Sequence, residues 1–434
     1  MTFLPLRKIG GGDKKMKKKT ILLTASILVV CLLGNVGVNA LIITNDWIRY
    51  DENPVIDGTP GTWDAMGIRN PCVLKIDDTY MMWYHAESNV NGEDYIGLAT
   101  STDGKIWVKS AENPILTTTT EPGWEHFRLS SPMVIYDDGI YKMWYGGCSH
   151  DAYTKIGYAE SADGISWTKH ANNPIFDTGS AGAWDDHSVA HCYVLKEDGS
   201  YKMWYTGRSN ADKLSRIGYA TSTDGINWVK YSGNPIIELG NPGTYDSLIA
   251  AHPEVVLDEG KYLMWYSGIS ATGDTITSIA YATSNDGITW EKALDNPVLE
   301  PIPGSDWENI DVAGPTIVKG DGILEMWYTG RSIETRTYMT VGYALMFTSP
   351  EQAVEQLINE VNNLNLQQGI ENNLISRLQT LQEYLEADNG NGAIPRLEAL
   401  ITFIEQQSTN NNPKITLAQA DFLIGQVQAI IALI

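Results

Sequence analysis

The residues of this chain that could do chemistry are concentrated in five short segments of similar pattern. These segments begin at Met66, Phe127, His187, Leu248 and Ile310 and read MGIRNPCV, FRLSSPMV, HSVAHCYV, LIAAHPEV and IDVAGPTI. Positions at which the five agree are most simply explained as scaffold, whereas positions at which they differ are free to bind or react. Carboxylates, imidazoles and guanidinium groups brought together at one site can hold a polar ligand and transfer protons.

Three carboxylates near these segments are the candidate proton-transfer groups: Asp311, Asp186 and Glu254. The candidate ligand-binding residues come from the segments and from the loops after the following strand: Arg69, Asn70, Glu87, His126, Arg128, His187, His191, Arg208, His252 and Arg331, with His150 as a further loop position. The alternative interpretation is that several of them are ordinary polar residues of a rim. The histidine spacing defines no set of metal ligands, so we predict neither a metal nor another cofactor.

A longer repeat positions these segments. The phrase YKMWYGG at 141–147 returns in related form around Trp83, Trp204, Trp265 and Trp327, at intervals of 60 to 62 residues. Each repeat contains four short β-rich runs bounded by turn residues, without a helical period. Four antiparallel strands per repeat are typical of a β-propeller blade, so the sequence predicts a mainly β fold with five blades.

The two ends of the repeat region predict that the ring closes. The fifth repeat lacks its last strand, and a matching piece stands before the first repeat, where 46–49 and 53–56 resemble 227–230 and 234–237. The N-terminal strand should therefore complete blade five and remove an open sheet edge. We expect the propeller to span residues 44–347. The hairpin stretches at 101–107, 161–167, 222–228 and 284–290 resemble shortened Asp-boxes, and their turn chemistry predicts a structural role.

The N-terminus has the features of an export signal. Lysines at 17–19 precede an apolar run at 20–34 and small residues before position 40, with Met16 as an alternative start. We predict a cleaved signal peptide at 1–40 and a secreted or cell-envelope location, without a stable membrane span in the mature protein. A retained anchor is the alternative. Cys72, Cys148 and Cys192 suit neither a disulfide framework nor a zinc site, and are predicted to be small buried residues.

The last 84 residues change character. Leucine and isoleucine stripes with helical spacing, separated by Gly and Asn clusters, predict four short helices in a small α-helical bundle at 351–434. The stretch at 417–424, LAQADFLI, resembles the FIMAH domain, a helical appendage of exported microbial proteins. That resemblance implies attachment or protein association, so we expect protein or cell-envelope contact through this region.

Charge limits the partners. The formal net charge is −23, which repels nucleic acid and anionic surfaces, so we expect no nucleic acid partner. A neutral oligosaccharide or polysaccharide is the simplest expectation.

The propeller region resembles the glycosidase propellers of families 43, 32 and 130. Residues 69–71 (RNP) with 80–87 (YMMWYHAE) look most like the opening blade of the family 130 mannoside phosphorylases. The resemblance implies carboxylates at positions that here hold Asn70, Ser131 and, near the acid position of blade three, Ala190. The general acid position of family 130 also falls near Ser131. The usual carboxylates are therefore replaced.

Three functions follow as hypotheses. The favoured one is hydrolysis or phosphorolysis of a glycosidic bond, and the second is a non-catalytic glycan-binding or adhesive propeller. A sialidase, suggested by the Asp-box resemblance, is disfavoured because six blades would be expected. Hydrolysis normally uses two carboxyl groups about 5–9.5 Å apart. Phosphorolysis needs one acid and a cationic phosphate pocket, for which Arg69, Arg128, Arg208 and Arg331 are candidates.

Overall fold

The computed structural model describes residues 47–87, 93–119, 123–149, 154–270, 276–332, 339–387, 390–409 and 413–434. The chain divides at Ala40 into two units, and all of the described residues belong to the second, Leu41–Ile434. The predicted signal peptide at 1–40 and His150 lie outside the described residues. Export therefore stays a prediction.

The described strands form five four-stranded antiparallel units, which we number as blades 1 to 5. Blades 1 and 2 contain β2 (Ile68–Ile76), β3 (Thr79–Glu87), β4 (Asp94–Ser101) and β5 (Val108–Lys109), then β6 (Arg128–Asp137), β7 (Ile140–Cys148), β8 (Lys155–Ser161) and β9 (Thr168–Lys169). Blades 3 and 4 contain β10 (Ser188–Glu197), β11 (Ser200–Arg208), β12 (Ser215–Ser222) and β13 (Trp228–Lys230), then β14 (Ile249–Asp258), β15 (Lys261–Ile269), β16 (Thr277–Ser284) and β17 (Glu291–Lys292). Blade 5 contains β18 (Asp311–Lys319), β19 (Ile323–Arg331) and β20 (Met339–Phe347) together with β1 (Ile48–Arg49).

The N-terminal strand closes blade 5. Ile48 of β1 lies opposite Leu345 of β20, and the pairing is antiparallel. The side chain of Arg49 lies 3.0 Å from the buried carboxylate of Glu308 in the same blade. The predicted fold, a mainly β propeller closed by its N-terminal strand and followed by a small helical bundle, is confirmed.

The repeated MWY motif connects neighbouring blades by hydrogen bonds. Its tryptophan is fully buried in every blade. In four blades the indole N–H donates to a glycine carbonyl in the outer hairpin of the next blade around the ring, at 2.7–2.9 Å: Trp83 to Gly164, Trp144 to Gly225, Trp204 to Gly287 and Trp327 to Gly104. The hairpin aspartates bind their own backbone, as when Asp103 accepts from the N–H groups of Lys105 and Ile106. The structural interpretation of these hairpins is confirmed.

The carboxylate after each opening aromatic residue is also part of the scaffold. In blade 2, Glu125 is buried, accepts the Tyr145 hydroxyl at 2.7 Å and lies 2.9 Å from the Lys169 ammonium group. A buried carboxylate needs such a partner, because an unpaired charge in the interior is costly. The same partnership with a lysine or arginine recurs in the other blades, at Asp64, Asp185, Asp246 and Glu308.

Each inner strand carries a β-bulge at the same place. The register with the neighbouring strand shifts there in all five blades. The bulged residue adopts a left-handed conformation, which is strained for any residue other than glycine. These five residues line a narrow central channel: Asn70 (φ 48°), Ser131 (φ 48°), His191 (φ 46°), His252 (φ 51°) and Gly314 (φ 54°).

The C-terminal helices are α1 (Pro350–Asn363), α2 (Gln368–Glu386), α3 (Gly390–Thr409) and α4 (Leu417–Leu433). Ser349 caps α1, and Thr416 with Gln419 forms a capping box on α4. The predicted apolar stripes are largely buried, and the core they form is continuous with Leu345 and Phe347 of β20. Among the described helices, none is both long and apolar enough to cross a membrane. The FIMAH resemblance stays a prediction.

Candidate functional site

A cavity of about 560 Å³ opens at the end of the propeller where the inner strands begin. Such a volume is within the range of small-molecule sites. Eight of the predicted site residues line the cavity: Arg69, Asn70, Arg128, His191, Arg208, His252, Asp311 and Arg331. Two further residues, His85 and Asp94, line it and were missed by the sequence analysis. The repeat therefore brings most of the predicted residues together.

The strand register explains why Asp94 belongs to this site. Asp94 begins β4, opposite Glu87 of β3, and pairs in parallel with Arg128 at the start of the next blade. The equivalent positions of the other blades also line the cavity: Ser215, Thr277 and Met339 begin their third strands, and Thr154 directly precedes β8. Asp94 is thus the one carboxylate in a ring of otherwise uncharged residues.

The cavity is cationic although the chain as a whole is acidic. Of the described residues that line it, four are arginines and two are aspartates. The three lining histidines add no positive charge at neutral pH. Burial is the main cause that lowers the pKa of His85 and of His252 to about 4, and it lowers that of His191 well below its usual value. The local positive charge contrasts with the formal net charge of −23.

A connected cluster of Arg69, His85, Asp94 and Arg128 forms one wall. Arg69 Nε donates to His85 Nδ1 at 3.2 Å, so the neutral imidazole carries its proton on Nε2. His85 Nε2 in turn donates to Asp94 Oδ2 at 3.0 Å. Guanidinium nitrogens of Arg69 and Arg128 each lie 3.6 Å from the same carboxylate oxygen. The neutral imidazole therefore bridges an arginine and an aspartate.

His85 departs from the scaffold role of its position. In three blades the equivalent residue has a hydroxyl that accepts from the N–H of a bulged residue in the next blade: Thr329 from Asn70, Thr206 from His252, and Ser267 from Gly314, at 2.9–3.0 Å. Blade 2 has Gly146 there, and blade 1 has His85. This disagreement among the repeats is the signal by which the sequence could have indicated His85.

Asp311 lies at the start of blade 5, the blade that adjoins blade 1 on its other side. One of its carboxylate oxygens accepts from the Thr277 hydroxyl, and the other accepts from Arg331 Nε. The residue is 7% exposed. Asp311 therefore lines the cavity, as predicted, but both of its oxygens already have partners.

Glu254 lies in the narrow channel below the cavity, where the volume is only about 40 Å³. Burial raises its pKa to about 8. Its carboxylate accepts from the N–H of Ile317 in the next blade at 2.8 Å. Equivalent positions make the same kind of link, because Thr316 accepts from Val73 N and Cys72 Sγ accepts from Val134 N. This geometry favours a structural role, since a sugar does not fit the channel.

The other predicted residues lie outside the cavity lining. Asp186 accepts backbone N–H groups of Asn210 and Gly182 at 2.7 and 2.8 Å, which lower its pKa. His126 Nδ1 lies 2.9 Å from the carbonyl oxygen of Gly123, and the His187 backbone pairs with Arg208. Glu87 is 3.4 Å from Arg69, which lines the cavity. Catalytic or ligand roles for these residues stay predictions.

Three of the bulged residues, Asn70, His191 and His252, line both the cavity and the channel, whereas Ser131 lines only the channel. The rings of His191 and His252 lie 3.9 Å apart between centroids, and Asn70 donates to Ser131 at 3.1 Å. Within the described ranges, no three His, Cys, Asp or Glu side chains are grouped as metal ligands would be. Ser131 thus lies in the channel at the position where the glycosidase resemblance implies a carboxylate.

Comparison with known proteins agrees with this architecture. Residues 133–347 match the family described as β-1,4-mannooligosaccharide phosphorylase, glycoside hydrolase family 130, and residues 40–185 match the N-terminal domain of glycosyl hydrolases family 32. The uncharacterized protein Rv1502 of Mycobacterium tuberculosis is 30% identical over 220 residues, which are 49% of this chain and 70% of that protein. A 1,2-β-oligomannan phosphorylase of a Thermoanaerobacter species is 28% identical over 222 residues, covering 49% of this chain and 68% of that enzyme.

A solved structure gives the same fold. A glycosyl hydrolase from Bacteroides ovatus superposes with a TM-score of 0.57 over 70% of this chain and 93% of that one, at 18% identity. Together, the fold, the polar cavity and the family matches define a glycosidase-type propeller and support a glycoside hydrolase or phosphorylase. The chain belongs to the same family as the mycobacterial protein Rv1502.

Proposed function

We propose that this protein cleaves a glycosidic bond of an oligosaccharide with inorganic phosphate as the acceptor, in the cavity at the start of the inner strands. The observation that carries the proposal is the set of four arginines facing two aspartates in that cavity. One guanidinium group can donate two parallel hydrogen bonds to the oxygens of a phosphate, and arginine is therefore the preferred side chain for binding phosphate.

The electrostatics of the rest of the chain strengthen this argument. A chain of formal charge −23 repels a phosphate dianion on average. A site that binds phosphate therefore requires local positive charge. Arg69 and Arg128 supply it on one wall, and Arg208 and Arg331 on others. Arg331 is partly neutralised by Asp311, whereas the side chain of Arg208 donates to a backbone carbonyl, that of Lys213.

The small number of carboxylates also favours phosphorolysis over hydrolysis. Hydrolysis needs a second carboxyl group to act as nucleophile or to activate water, whereas phosphate is itself the nucleophile. Positions that hold carboxylates in related propellers are Asn70, Ser131 and Ala190 here. One acid from the cavity wall is then sufficient, and Asp311, predicted from the sequence, and Asp94 are the carboxylates available.

The substrate class follows from the relatives. Family 130 is described as β-1,4-mannooligosaccharide phosphorylase, and the Thermoanaerobacter relative is named a 1,2-β-oligomannan phosphorylase. We therefore propose a β-linked mannooligosaccharide, which is neutral, as the glycan. The cationic charge of the cavity is assigned to phosphate.

The test is product analysis with and without phosphate. The purified protein is incubated with β-1,2- and β-1,4-linked mannooligosaccharides, and products are followed by mass spectrometry. Mannose 1-phosphate formed only in the presence of phosphate is the expected result. Free mannose formed equally in both conditions would make the protein a hydrolase and contradict the proposal.

A matched pair of variants tests the phosphate seat. Arg128→Gln should raise the KM for phosphate at least about tenfold, because a charge-assisted bond contributes about 1.5–3 kcal/mol. Arg377→Gln removes the same charge from an exposed site on α2, where it bonds Asn373, and should leave the KM unchanged. Equal effects of the two substitutions would remove the support for a specific phosphate seat.

Glycan binding without catalysis is the second candidate. It is favoured by Asp311, whose two oxygens are both occupied, and by Ser131 at the acid position. Saturable binding of a mannooligosaccharide, with no product over long incubation with phosphate, would support this candidate instead.

We also propose that the protein is exported and that the helices at 350–433 attach it to a protein or envelope partner. Two features support this proposal: the lysines at 17–19 followed by an apolar run at 20–34, and the resemblance of the helical region to the FIMAH domain. Fractionation of cells that express the full chain and a chain ending at residue 349 tests both parts. Loss of envelope association in the shorter chain alone is the expected result.

A further inference from the structure

Asp94 has an oxygen that the fold leaves without a partner. Its side chain is 1% exposed, and Oδ2 receives the hydrogen bond from His85. Oδ1 is buried and has no hydrogen-bond partner among the residues that the structure describes. A buried carboxylate oxygen without a partner is costly and indicates that something else meets it. Because Asp94 lines the cavity, the bound substrate is the natural partner.

The surroundings of Asp94 differ from those of Asp311. The two oxygens of Asp311 are held by Thr277 and Arg331, which leaves neither directed at a ligand. At Asp94, His85 and the two arginines all approach the same oxygen, Oδ2. The contacts therefore fix the orientation of the Asp94 carboxyl group and leave Oδ1 without a partner among the described residues.

We propose that Asp94 is the catalytic acid that protonates the departing sugar, and that His85 is the residue that positions it. This inference rests on the proposed phosphate-dependent cleavage and names a residue for its proton transfer. Asp94 is not at a position where the glycosidase resemblance implies a carboxylate. It would replace the acid that is missing at Ser131.

In the proposed step, a phosphate oxygen forms a bond to the anomeric carbon while the bond from that carbon to the bridging oxygen breaks. The bridging oxygen keeps the electron pair and takes the proton from Asp94 Oδ1. Asp94 becomes a carboxylate beside Arg69, Arg128 and the Nε2–H of His85. Hydrogen phosphate is consumed, and the proton that its ester releases restores the acid.

Phosphate also balances the charge of this wall of the cavity. Guanidinium nitrogens of Arg69 and Arg128 each lie 3.6 Å from Asp94 Oδ2. A phosphate dianion held by these two arginines would offset their positive charges beside the acid.

The position of His85 follows from its hydrogen bonds. Since Arg69 donates to Nδ1, the imidazole presents a fixed N–H to Asp94 and cannot turn without losing both bonds. His85 is 3% exposed and does not need to touch the sugar for this role. Its removal should disturb the orientation of the acid.

The experiment compares leaving groups in the full-length protein. One substrate is a mannooligosaccharide, and the other is 2,4-dinitrophenyl mannoside, whose leaving phenolate needs no proton. The variants are Asp94→Asn, Asp311→Asn and the control Asp138→Asn. Asp138 is an exposed residue in the turn after β6, about 30 Å along the strand from its cavity end.

Asp94→Asn should lower kcat/KM for the oligosaccharide by about 10²–10⁴, the usual contribution of an acid, and that for the aryl mannoside by less than about tenfold. Asp311→Asn should affect the two substrates equally. Asp138→Asn should affect neither. If Asp94→Asn cleaves the oligosaccharide normally, or loses both substrates equally, Asp94 is not the acid.

Failure of the underlying function has a different result. If the unmodified protein releases no product from either substrate with phosphate, the proposed phosphorolysis is wrong and the role of Asp94 falls with it.

A second variant covers the case in which Asp94→Asn does not fold. In His85→Ala the Asp94 carboxyl group loses the donor that orients it, so kcat/KM for the oligosaccharide should fall much more than that for the aryl mannoside. Equal losses with the two substrates would mean that His85 is only structural and would contradict the assignment.

Discussion

Replacing Glu254 by glutamine should stabilise the propeller in a way that depends on pH. Glu254 is 7% exposed, and burial raises its pKa to about 8 from 4.5 in the unfolded chain. The glutamine side chain keeps an oxygen that can accept from Ile317 N, as Glu254 does at 2.8 Å. The substitution therefore removes the titration and retains the hydrogen bond.

The sign follows from linkage. Between pH 4.5 and pH 8 the folded chain keeps the proton on Glu254 and the unfolded chain loses it. Rising pH therefore favours the unfolded state, and the contribution of Glu254 is fully present only below pH 4.5. One pKa unit corresponds to about 1.4 kcal/mol, so the wild-type protein should lose about 3 to 4 kcal/mol from this group between pH 5 and pH 8.

The assay is denaturant unfolding of the two proteins at several pH values, followed by tryptophan fluorescence. All 14 tryptophans lie between residues 47 and 327, so the signal reports the propeller and not the helices. The free energy of unfolding of Glu254→Gln minus that of the wild type should increase by about 3 to 4 kcal/mol from pH 5 to pH 8. Other titrating groups, such as His85 and His252, cancel in this difference.

A difference that does not change with pH would refute the reasoning, because it would mean that Glu254 titrates alike in the folded and unfolded chains. A difference that falls with pH would show that the folded state favours the carboxylate. It would then return Glu254 to the candidates for a charged functional group.

Three further predictions concern the ring and the cavity. Arg49→Ala should lower the free energy of unfolding by about 1–3 kcal/mol, because the buried carboxylate of Glu308 keeps only the Tyr328 hydroxyl as a partner. Adding Glu308→Gln should recover most of this loss, as measured by denaturant unfolding. Gly218→Ala should lower the free energy of unfolding by about 1–3 kcal/mol, because the new methyl group would lie 2.7 Å from a ring atom of Trp184. Adding Trp184→Tyr to this variant should reduce the loss, as measured by a double-mutant cycle. Phosphate at 100 times its Kd should stabilise the protein by about 2.7 kcal/mol, seen as a higher melting temperature, and the same phosphate concentration should stabilise Arg128→Gln less.

The Gly218 prediction has a precedent within the chain. A glycine at this position faces the opening tryptophan in four blades, at Gly97, Gly157, Gly218 and Gly342. In blade 4 the opening residue is Tyr245, and there the glycine is replaced by Ala280. The two positions therefore change together between blades. If the double variant were no more stable than Gly218→Ala, the correlation would have no packing basis.

The fold could be predicted because its contacts recur with the repeat. Trp144 contacts Gly225, and Glu125 contacts Lys169. Equivalent pairs make the same contacts in nearly every blade, so the residues for each contact recur several times in the sequence. The missing strand of the fifth repeat and its copy at residues 46–49 predicted closure for the same reason. The helices were predictable from stripes and caps that lie close together along the chain.

The site was predicted only in part. Arg69, Arg128 and Asp311 were expected at the cavity because they depart from the repeat on an inner strand, and they line it. Asp186 and Glu254 departed equally but lie outside the cavity lining. Asp186 is bound to backbone N–H groups outside, and Glu254 links two blades in the channel. A residue that departs from the repeat is not required by the scaffold at that position. The departure does not show whether its side chain points into the cavity.

By itself, the sequence determined the number of repeats, the order of strands within each, the closing strand and the residues reserved for the scaffold. Tertiary structure alone decided which polar residues meet. The bulge in each inner strand changes which way the following side chains point, and Asp94 reaches Arg128 only because β4 and β6 pair in parallel between blades. His85 and Asp94 are nine residues apart along the chain and meet through the antiparallel pairing of β3 with β4, whereas Arg128 reaches the same carboxylate only through the pairing between blades. Only this packing leaves the other oxygen of Asp94 buried without a partner among the described residues.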